Sequence, residues 1–434
     1  MLTKLRQSLP LQLLLAALLA WFFTLFVSPT TDVTQASWYQ LVMLGKVTYI
    51  GLLKMVVGLV VMFSLLQGIT SIGSITRLKQ VGRNTLLFYS FTTLLAISLG
   101  LGASLLLPAW QPLTEFAPVG DNVQLISEES AGGAAIAAKL LNMAFVNPVA
   151  ALTQGNLLAI VVFSFMLGLA LLSSLPEKHP IFDVLSGLNK SINTIVGWII
   201  KLSPLAVFAI VFDFTIRGGA SLFEQLALFS LLVFVLTLIH GAIVLPTIAK
   251  IATGIKYTTL FKAISAPMAM AFATSSSSAT LPLAMQSAQE KLGVSQSTSS
   301  MVLPLGAVMN MDGTALFEGV AAIFLAQLFG VDLTTSGLVM IFIMAMVSSV
   351  GAPGMPSGSM SGMQLVLLAA GIPLEAIAIL LIIERPLDTF RTAVNVEGDM
   401  IAALVIDKWQ TQSTKKETFT QDMPHNKKQQ SPHI

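Results

Sequence analysis

The chain contains no cysteine and little charge. Of its 434 residues, 10% are charged and 55% are hydrophobic, and the mean hydropathy is +0.82. Soluble domains carry about 25% charged residues, so this composition predicts an integral membrane protein. The lack of cysteine excludes disulfides, thiolate metal sites and cysteine nucleophiles. The four histidines stand at no metal-ligand spacing, and the net charge of +2 includes no basic block of the nucleic-acid-binding type. Neither a metalloenzyme nor a nucleic-acid partner is expected.

Long apolar runs are abundant and predict membrane-spanning helices, since about 20 apolar residues span the bilayer. Lysine and arginine gather before the first run and in alternate loops, which places both termini in the cytoplasm. The region 135–175 is interrupted at Asn147-Pro148 and at Gly155, so one helix or several pieces remain open there. The predicted spans are 11–27, 47–72, 84–107, 192–216 and 222–251, with 135–175 as the longer region.

Two later segments are apolar at both ends but polar in the middle. They read FATSSSSATLP at 272–282 and VSSVGAPGMPSGSMSG at 347–362. Such a segment is typical of a helical hairpin that enters the membrane and turns back, because its tip exposes backbone to a ligand or cavity. Each precedes a helix with a polar centre, NMDGT at 310–314 and NVEGD at 395–399. The pair predicts an internal, inverted repeat of the kind found in secondary transporters.

The stretch ERPLDTFRTAVNVEGD at 384–399 is unusually charged for an apolar context. A charge within a span costs about 3 kcal/mol and is rare without a partner or a function. At helical spacing, Asp388, Arg391, Thr392, Asn395 and Asp399 form one stripe. An arginine binds a carboxylate through two parallel hydrogen bonds, and an aspartate one turn away can hold an ammonium. The alternative is an Asp388–Arg391 ion pair that only joins helices.

Two more sets of residues suit ionic ligands. Asp312 and Asp399, each near an asparagine, offer the oxygen ligands that hard cations prefer. Protonated acids bonded between helices are the alternative. The serines at 275–278 can present hydroxyls and free amides to a carboxylate, unless they form only a flexible turn. His240 is expected to be a packed or interfacial residue, and Glu397 has no predicted role.

Taken in order, these motifs resemble the dicarboxylate/amino acid:cation symporter family, which has the glutamate-transporter fold. The matching motifs are SSSSATLP at 275–282, NMDGT, the GAPGMP tip at 351–356 and DxxRTxxNxxGD at 388–399. The resemblance implies an all-α integral membrane protein with eight transmembrane helices and two re-entrant helical hairpins. Residues 1–257 would be mainly scaffold and peripheral helices, with the helix near 84–107 joining the transport domain. Residues 258–406 would form the core transport domain, and 407–434 a polar cytoplasmic tail.

The resemblance also implies site residues. The amino group would bind Asp388, the distal carboxylate Arg391 and Thr392, and the α-carboxylate Ser277 or its neighbours. The implied substrate positions are Ser276, Ser277, Ser278, Thr314, Met355, Ser359, Asp388, Arg391, Thr392 and Asn395. The first implied sodium site uses main chain at Gly306 with Asn310, Asn395 and Asp399. The second uses main chain near Val308 and Met311 with Ser349, Val350 and Ala352, and the third uses Tyr89, Thr92, Thr93, Asn310 and Asp312.

The implied function is sodium-coupled uptake of aspartate or glutamate by an elevator motion. The protein would be a homotrimer in the cell membrane, surrounded by lipid, and not an enzyme. A proton-coupled glutamate or dicarboxylate symporter and a cystine symporter of the same fold remain alternatives, and a channel is a weaker one. Glu384 stands where an aspartate is more usual in the family, and its role stays open.

Overall fold

The computed structural model describes residues 9–27, 33–70, 82–112, 138, 141–218, 221–351, 354, 358–372 and 376–421. Regular structure within these ranges is helical. The first half contains α1 (Leu9–Thr24), α2 (Ser37–Thr70), α3 (Arg83–Leu106), α4 (Pro148–Gln154), α5 (Leu157–Ser174), α6 (Pro180–Ile200), α7 (Ser203–Gly218), α8 (Ser221–Ile239), a π-helical turn (His240–Val244) and α9 (Leu245–Thr253).

The second half contains the two polar-centred segments and the helices that follow them. Its helices are α10 (Tyr257–Thr274), α11 (Ser277–Leu292), α12 (Gln296–Met309), α13 (Asp312–Leu328), α14 (Thr335–Gly351), α15 (Ser359–Ala370) and α16 (Ile377–Gln421).

Five helical stretches among the described residues are long and apolar enough to cross a membrane, and a sixth forms if a bent pair counts as one span. That pair is α6 and α7, which meet at 45°. The predicted span over 192–216 therefore contains a bend. Pro204 explains the break, because proline lacks an amide donor and disfavours a helical conformation in the residue before it. The region 135–175 is in pieces, and Asn147 and Asn156 cap the helices that follow each interruption.

The serine-rich segment forms a helix–turn–helix in which α10 and α11 pack along each other. The turn is tight because Ser275 adopts a left-handed conformation with φ 49°, which ends α10. Ser276 then caps α11, since its hydroxyl accepts a hydrogen bond from the Ala279 amide at 3.1 Å. The helices α14 and α15 also pack on each other, and the residues between them are described only at Gly354 and Gly358.

A break at Asn310–Met311 separates α12 from α13 and exposes backbone in the middle of an otherwise apolar stretch. The break faces α16, whose polar stripe lies on an unbroken helix despite Pro386. Early helices contribute as well: α3 packs on α13, and α8 and α9 pack on α16. The helices around the two breaks thus bring both NMDGT and NVEGD into one interior region.

Candidate functional site

A narrow cavity, with a volume of about 10 Å³, lies between the two helix pairs α10–α11 and α14–α15 and the polar stripe of α16. Six of the ten predicted substrate positions line it. The lining residues are Ser275, Ser277, Met311, Thr314, Gly354, Gly358, Ser359, Asp388, Thr392 and Asn395.

Arg391 lies at the edge of this cavity and is fully buried. Its Nη2 donates to Ser359 Oγ at 3.2 Å and to Asp388 Oδ1 at 3.3 Å, and both of those residues line the cavity. Nη2 also pairs with Glu384 Oε1 at 3.1 Å. The guanidinium carbon lies 3.9 Å from the centre of the Phe317 ring, which holds it by a cation–π interaction. Among the described residues, Nε and Nη1 have no hydrogen-bond partner, so donors remain for a ligand carboxylate.

The predicted serines divide between two cavities. Ser277 lines the central cavity, whereas Ser276 and Ser278 line a second cavity towards α2 and α6. Gly354 lines both and separates them: its carbonyl accepts hydrogen bonds from Ser276 Oγ at 2.8 Å and from the Ser278 amide at 3.1 Å. Of the three candidates for the α-carboxylate, Ser277 alone faces the central cavity. Met355 lies outside the described residues.

Asn310 and Asp399 of the first predicted sodium site meet at Gly306. Asn310 Nδ2 donates to Asp399 Oδ1 at 2.9 Å. A Cβ at Gly306 would collide with Asp399 and come within 2.6 Å of the Tyr89 hydroxyl, so only glycine permits this approach. Asn310 Oδ1 is buried and lacks a partner among the described residues, which leaves an oxygen available to a cation. Asn395 is turned towards α13 instead, where its Oδ1 accepts from the Gly313 amide at 2.8 Å.

The third predicted sodium site places Thr93 on Asp312, with Oγ1 donating to Oδ1 at 2.7 Å. Thr92 and Tyr89 are close by on α3 but bond to backbone: Thr92 to the Tyr89 carbonyl and Tyr89 to the Val302 carbonyl. The other Asp312 oxygen, Oδ2, lies 3.1 Å from His240 Nε2. Sequence reasoning assigned His240 only to packing. A histidine within a membrane helix is itself a functional signal, and that signal was available.

The second predicted sodium site would use main-chain oxygens near Val308 and Met311, and it stays a prediction. Met311 lines the central cavity, the Val308 side chain packs towards Gly68 of α2, and Ser349 donates its hydroxyl to the Met346 carbonyl at 2.8 Å. Val350 is half-buried at the end of α14, and Ala352 lies outside the described residues.

Comparison with known proteins identifies the family. The model of the sodium:dicarboxylate symporter family matches residues 9–409. A proton/glutamate-aspartate symporter of Escherichia coli is 31% identical over 380 residues, which cover 86% of each chain. The chain belongs to the sodium:dicarboxylate symporter family. The resemblance of the motifs is thereby confirmed, and the protein is a transporter and not an enzyme.

Relatives of this symporter differ in substrate and in coupling ion. A proton/sodium-glutamate symport protein of Geobacillus stearothermophilus is 30% identical over 374 residues, covering 84% of this chain and 86% of the relative. A neutral amino acid transporter B(0) of Oryctolagus cuniculus is 34% identical over 382 residues, covering 81% of this chain and 70% of the relative. Family membership alone therefore does not choose between acidic and neutral substrates, nor between sodium and protons.

The interior of this symporter carries an excess of acidic groups. Among the described residues, Arg391 is the one buried lysine or arginine, and Arg385 is partly buried, 3.7 Å from Asp388. Buried charges require partners of opposite sign. The six buried carboxyl groups of α13 and α16 are Asp312, Glu318, Glu384, Asp388, Glu397 and Asp399.

Proposed function

We propose that this symporter couples sodium influx to uptake of an acidic amino acid, aspartate or glutamate. The observation that carries the proposal is the buried Arg391, with two nitrogens lacking a partner among the described residues, beside a small cavity lined by Asp388. An arginine fork suits a side-chain carboxylate, and Asp388 suits an ammonium. A neutral side chain would leave the guanidinium without a ligand carboxylate. Ser277 and Thr314 supply hydroxyls to the α-carboxylate.

Sodium binds at the junction of Gly306, Asn310 and Asp399, with a further ion at Thr93 and Asp312. A carboxylate, an amide oxygen and a hydroxyl are ligands that hard cations accept. Cations at these two places offset two of the six buried carboxylates. The second predicted set, with Met311 and Ser349, holds another ion mainly through main-chain oxygens.

The proposal also includes the membrane topology, the oligomeric state and the part of the protein that moves. Eight spans cross the cell membrane, two re-entrant hairpins enter it and turn back, and both termini lie in the cytoplasm. Three copies assemble as a homotrimer. Residues 258–406 and the helix near 84–107 move as a transport domain against the remaining scaffold. The hydrogen bonds that the Gly354 carbonyl accepts from Ser276 and Ser278 support a common transport domain, because they join the tips of the two helix pairs.

Uptake by proteoliposomes tests the substrate and the ion. Purified protein should accumulate radiolabelled aspartate only with an inward sodium gradient. Unlabelled glutamate should compete, and succinate, cystine and serine should not. Arg391→Ala should abolish this uptake, while Arg83→Ala, at an exposed position, should leave it unchanged. Because removal of Arg391 takes one charged partner from the buried Glu384 and Asp388, thermal unfolding of the variant is measured in parallel. Full aspartate uptake by a folded Arg391→Ala protein would refute the assignment.

Proton coupling is the second candidate, and Glu318 favours it. Glu318 is fully buried, and the Ser348 hydroxyl is a side-chain donor beside its carboxylate. A carboxyl in that setting can carry a proton. Concentrative uptake in sodium-free buffer, driven by an inward pH gradient and lost in Glu318→Gln, would favour this candidate over sodium.

A further inference from the structure

Glu397 is a buried acid with no place in the proposed site. It is 0% exposed, and neither carboxylate oxygen has a hydrogen-bond partner among the described residues. The effective penalty for burying an unpaired charge is several kcal/mol. The arginines already serve Glu384 and Asp388, and the predicted sodium sites use Asp312 and Asp399. Glu397 therefore requires its own compensation.

Glu397 also points away from the predicted sodium ligands. Asp399 follows two residues later, which is about 200° around an α-helix with 3.6 residues per turn. The Glu397 carboxylate and the Val394 side chain both lie over Gly241, where a Cβ would come within 3.2 Å of Glu397 Oε2 and within 2.7 Å of Val394 Cγ2. Gly241 belongs to the π-helical turn after α8. Glycine at this position leaves the carboxylate free to reach the backbone of that turn.

Further unpartnered polar atoms lie on the same part of this helix. Thr237 precedes Gly241 by four residues, which places both on one face. The Thr237 hydroxyl is buried and has no partner in the described part of the chain, although helical threonines readily bond the carbonyl four residues earlier. His240 Nδ1 is likewise unpartnered there, while its Nε2 is held by Asp312. Glu397 from α16 and, from the facing segment, Thr237 and His240 thus have four buried polar atoms without a hydrogen-bond partner among the described residues.

The π-helical turn lies beside this cluster. Over His240–Val244 the hydrogen bonds shift to i→i+5, and the Leu245 amide bonds to the His240 carbonyl. Single π turns inside α-helices are frequent at functional sites, because they break the regular ladder. A carboxylate, a hydroxyl and backbone carbonyls are together the oxygen donors that an alkali cation prefers.

We propose that Glu397, Thr237 and the π-helical turn bind an additional alkali cation, separate from the predicted sodium sites. This inference deepens the proposed function and rests on it for the claim that the cation travels with the substrate. Glu397 supplies the charge and Thr237 supplies a neutral ligand, and the lack of a side chain at Gly241 permits the close approach of the carboxylate to the turn.

The test compares wild type with Glu397→Gln, which keeps the side-chain volume and removes the charge. The matched control is Glu290→Gln, at an exposed glutamate of α11. In the flux arm, labelled sodium and labelled aspartate are counted together in proteoliposomes. In the binding arm, the melting temperature of the purified protein is followed in sodium, potassium or choline chloride without substrate.

If the cation is sodium, Glu397→Gln should carry one fewer sodium ion per aspartate, with the control unchanged. If it is potassium, stabilisation by potassium over choline should disappear in Glu397→Gln alone. Thr237→Val keeps the charge and should raise the half-stabilising cation concentration several-fold, which provides a readout if Glu397→Gln does not fold. An unchanged ion count together with unchanged stabilisation by both salts would overturn the inference. So would a dependence on pH alone, since Glu397 would then hold a proton.

Failure of the proposed function is distinguishable from failure of this inference. A wild-type protein that takes up no acidic amino acid would refute the proposed function, and the binding arm would still report on Glu397. Sodium-coupled aspartate uptake that is identical in wild type and Glu397→Gln, with identical salt stabilisation, would refute only the additional site.

Discussion

If Arg391 binds the substrate carboxylate as proposed, Glu384 competes with the substrate for it, and this leads to a prediction that distinguishes a binding role from a structural one. Glu384 Oε1 and Asp388 Oδ1 share one guanidinium nitrogen, at 3.1 Å and 3.3 Å. A substrate carboxylate would have to approach the Arg391 guanidinium, whose positive charge Glu384 and Asp388 already neutralise. Glu384→Gln removes this competing charge, and the glutamine oxygen can still accept the hydrogen bond from Ser359.

The magnitude follows from the contact distance. Two unit charges at 3.1 Å interact with about 5 kcal/mol at an effective dielectric constant of 20. Breaking a buried pair costs about 3–5 kcal/mol when no other partner remains. Because Asp388 stays in contact, we expect the substrate-free protein to lose about 2 kcal/mol of unfolding free energy. Aspartate restores a second partner to Arg391, so its Kd should fall about tenfold, which corresponds to 1.4 kcal/mol.

Calorimetric titration of aspartate in saturating sodium measures the Kd, and thermal unfolding without substrate measures stability. Glu290→Gln is the control, because that exposed glutamate contacts only Gln286 at 3.1 Å among the hydrogen bonds found for it. A folded Glu384→Gln protein with an unchanged or higher Kd for aspartate would refute the reasoning. It would mean that the substrate carboxylate does not engage Arg391.

Three shorter predictions concern close approaches and a helix cap. Gly306→Ala should raise the sodium concentration for half-maximal uptake at least tenfold by displacing Asp399, whereas Gly102→Ala, with no atom within 4 Å of the new methyl group, should not. Gly354→Ala should weaken aspartate binding in a titration, because its Cβ would lie 2.5 Å from a backbone carbonyl of α12 and keep the hairpin tips apart. Ser295→Ala should lower the unfolding free energy by about 1 kcal/mol, since this side chain caps α12 and bonds Asp407 on α16; melting temperature measures it.

The parts of the site that lie on one helix were predictable from sequence. Asp388, Arg391 and Asn395 fall on one stripe because an α-helix has a fixed period, and α16 is continuous over Ile377–Gln421. The serine turn was also predictable, since small polar residues in an apolar run leave backbone groups that must be satisfied otherwise. The sequence predicted one helix with a polar centre through NMDGT, whereas the structure breaks it at Asn310–Met311. Local rules sufficed where one segment contained the information.

Contacts between distant segments were not predictable in this way. His240 and Asp312 are 72 residues apart, and their pairing depends on how α8 packs beside α13. Which cavity Ser277 and its neighbours line depends on the position at which the chain turns. That position is Ser275, and a run of four identical residues does not specify it. Glu384 also pairs with Arg391, although it is seven residues away in sequence and Asp388 is three residues away. Sequence spacing ranks neighbours along a helix, but it does not show which of them share one atom.

Charge balance explains why such a site must couple substrate to cations. The proposed acidic amino acid carries two carboxylates and one ammonium, so it would add a net negative charge to a region where, among the described residues of α13 and α16, six carboxyl groups and one arginine are buried. Moving that combination through an apolar region without compensation would be prohibitive. Cations bound at Asp312 and Asp399 reduce the imbalance, and each also stabilises the folded state by about 2.7 kcal/mol when present at 100 times its Kd. The same carboxylates therefore make cation binding a condition both for substrate entry and for a stable interior. Melting temperature should consequently rise with sodium even when no amino acid is present, and a protein equally stable in sodium and in choline would contradict this account.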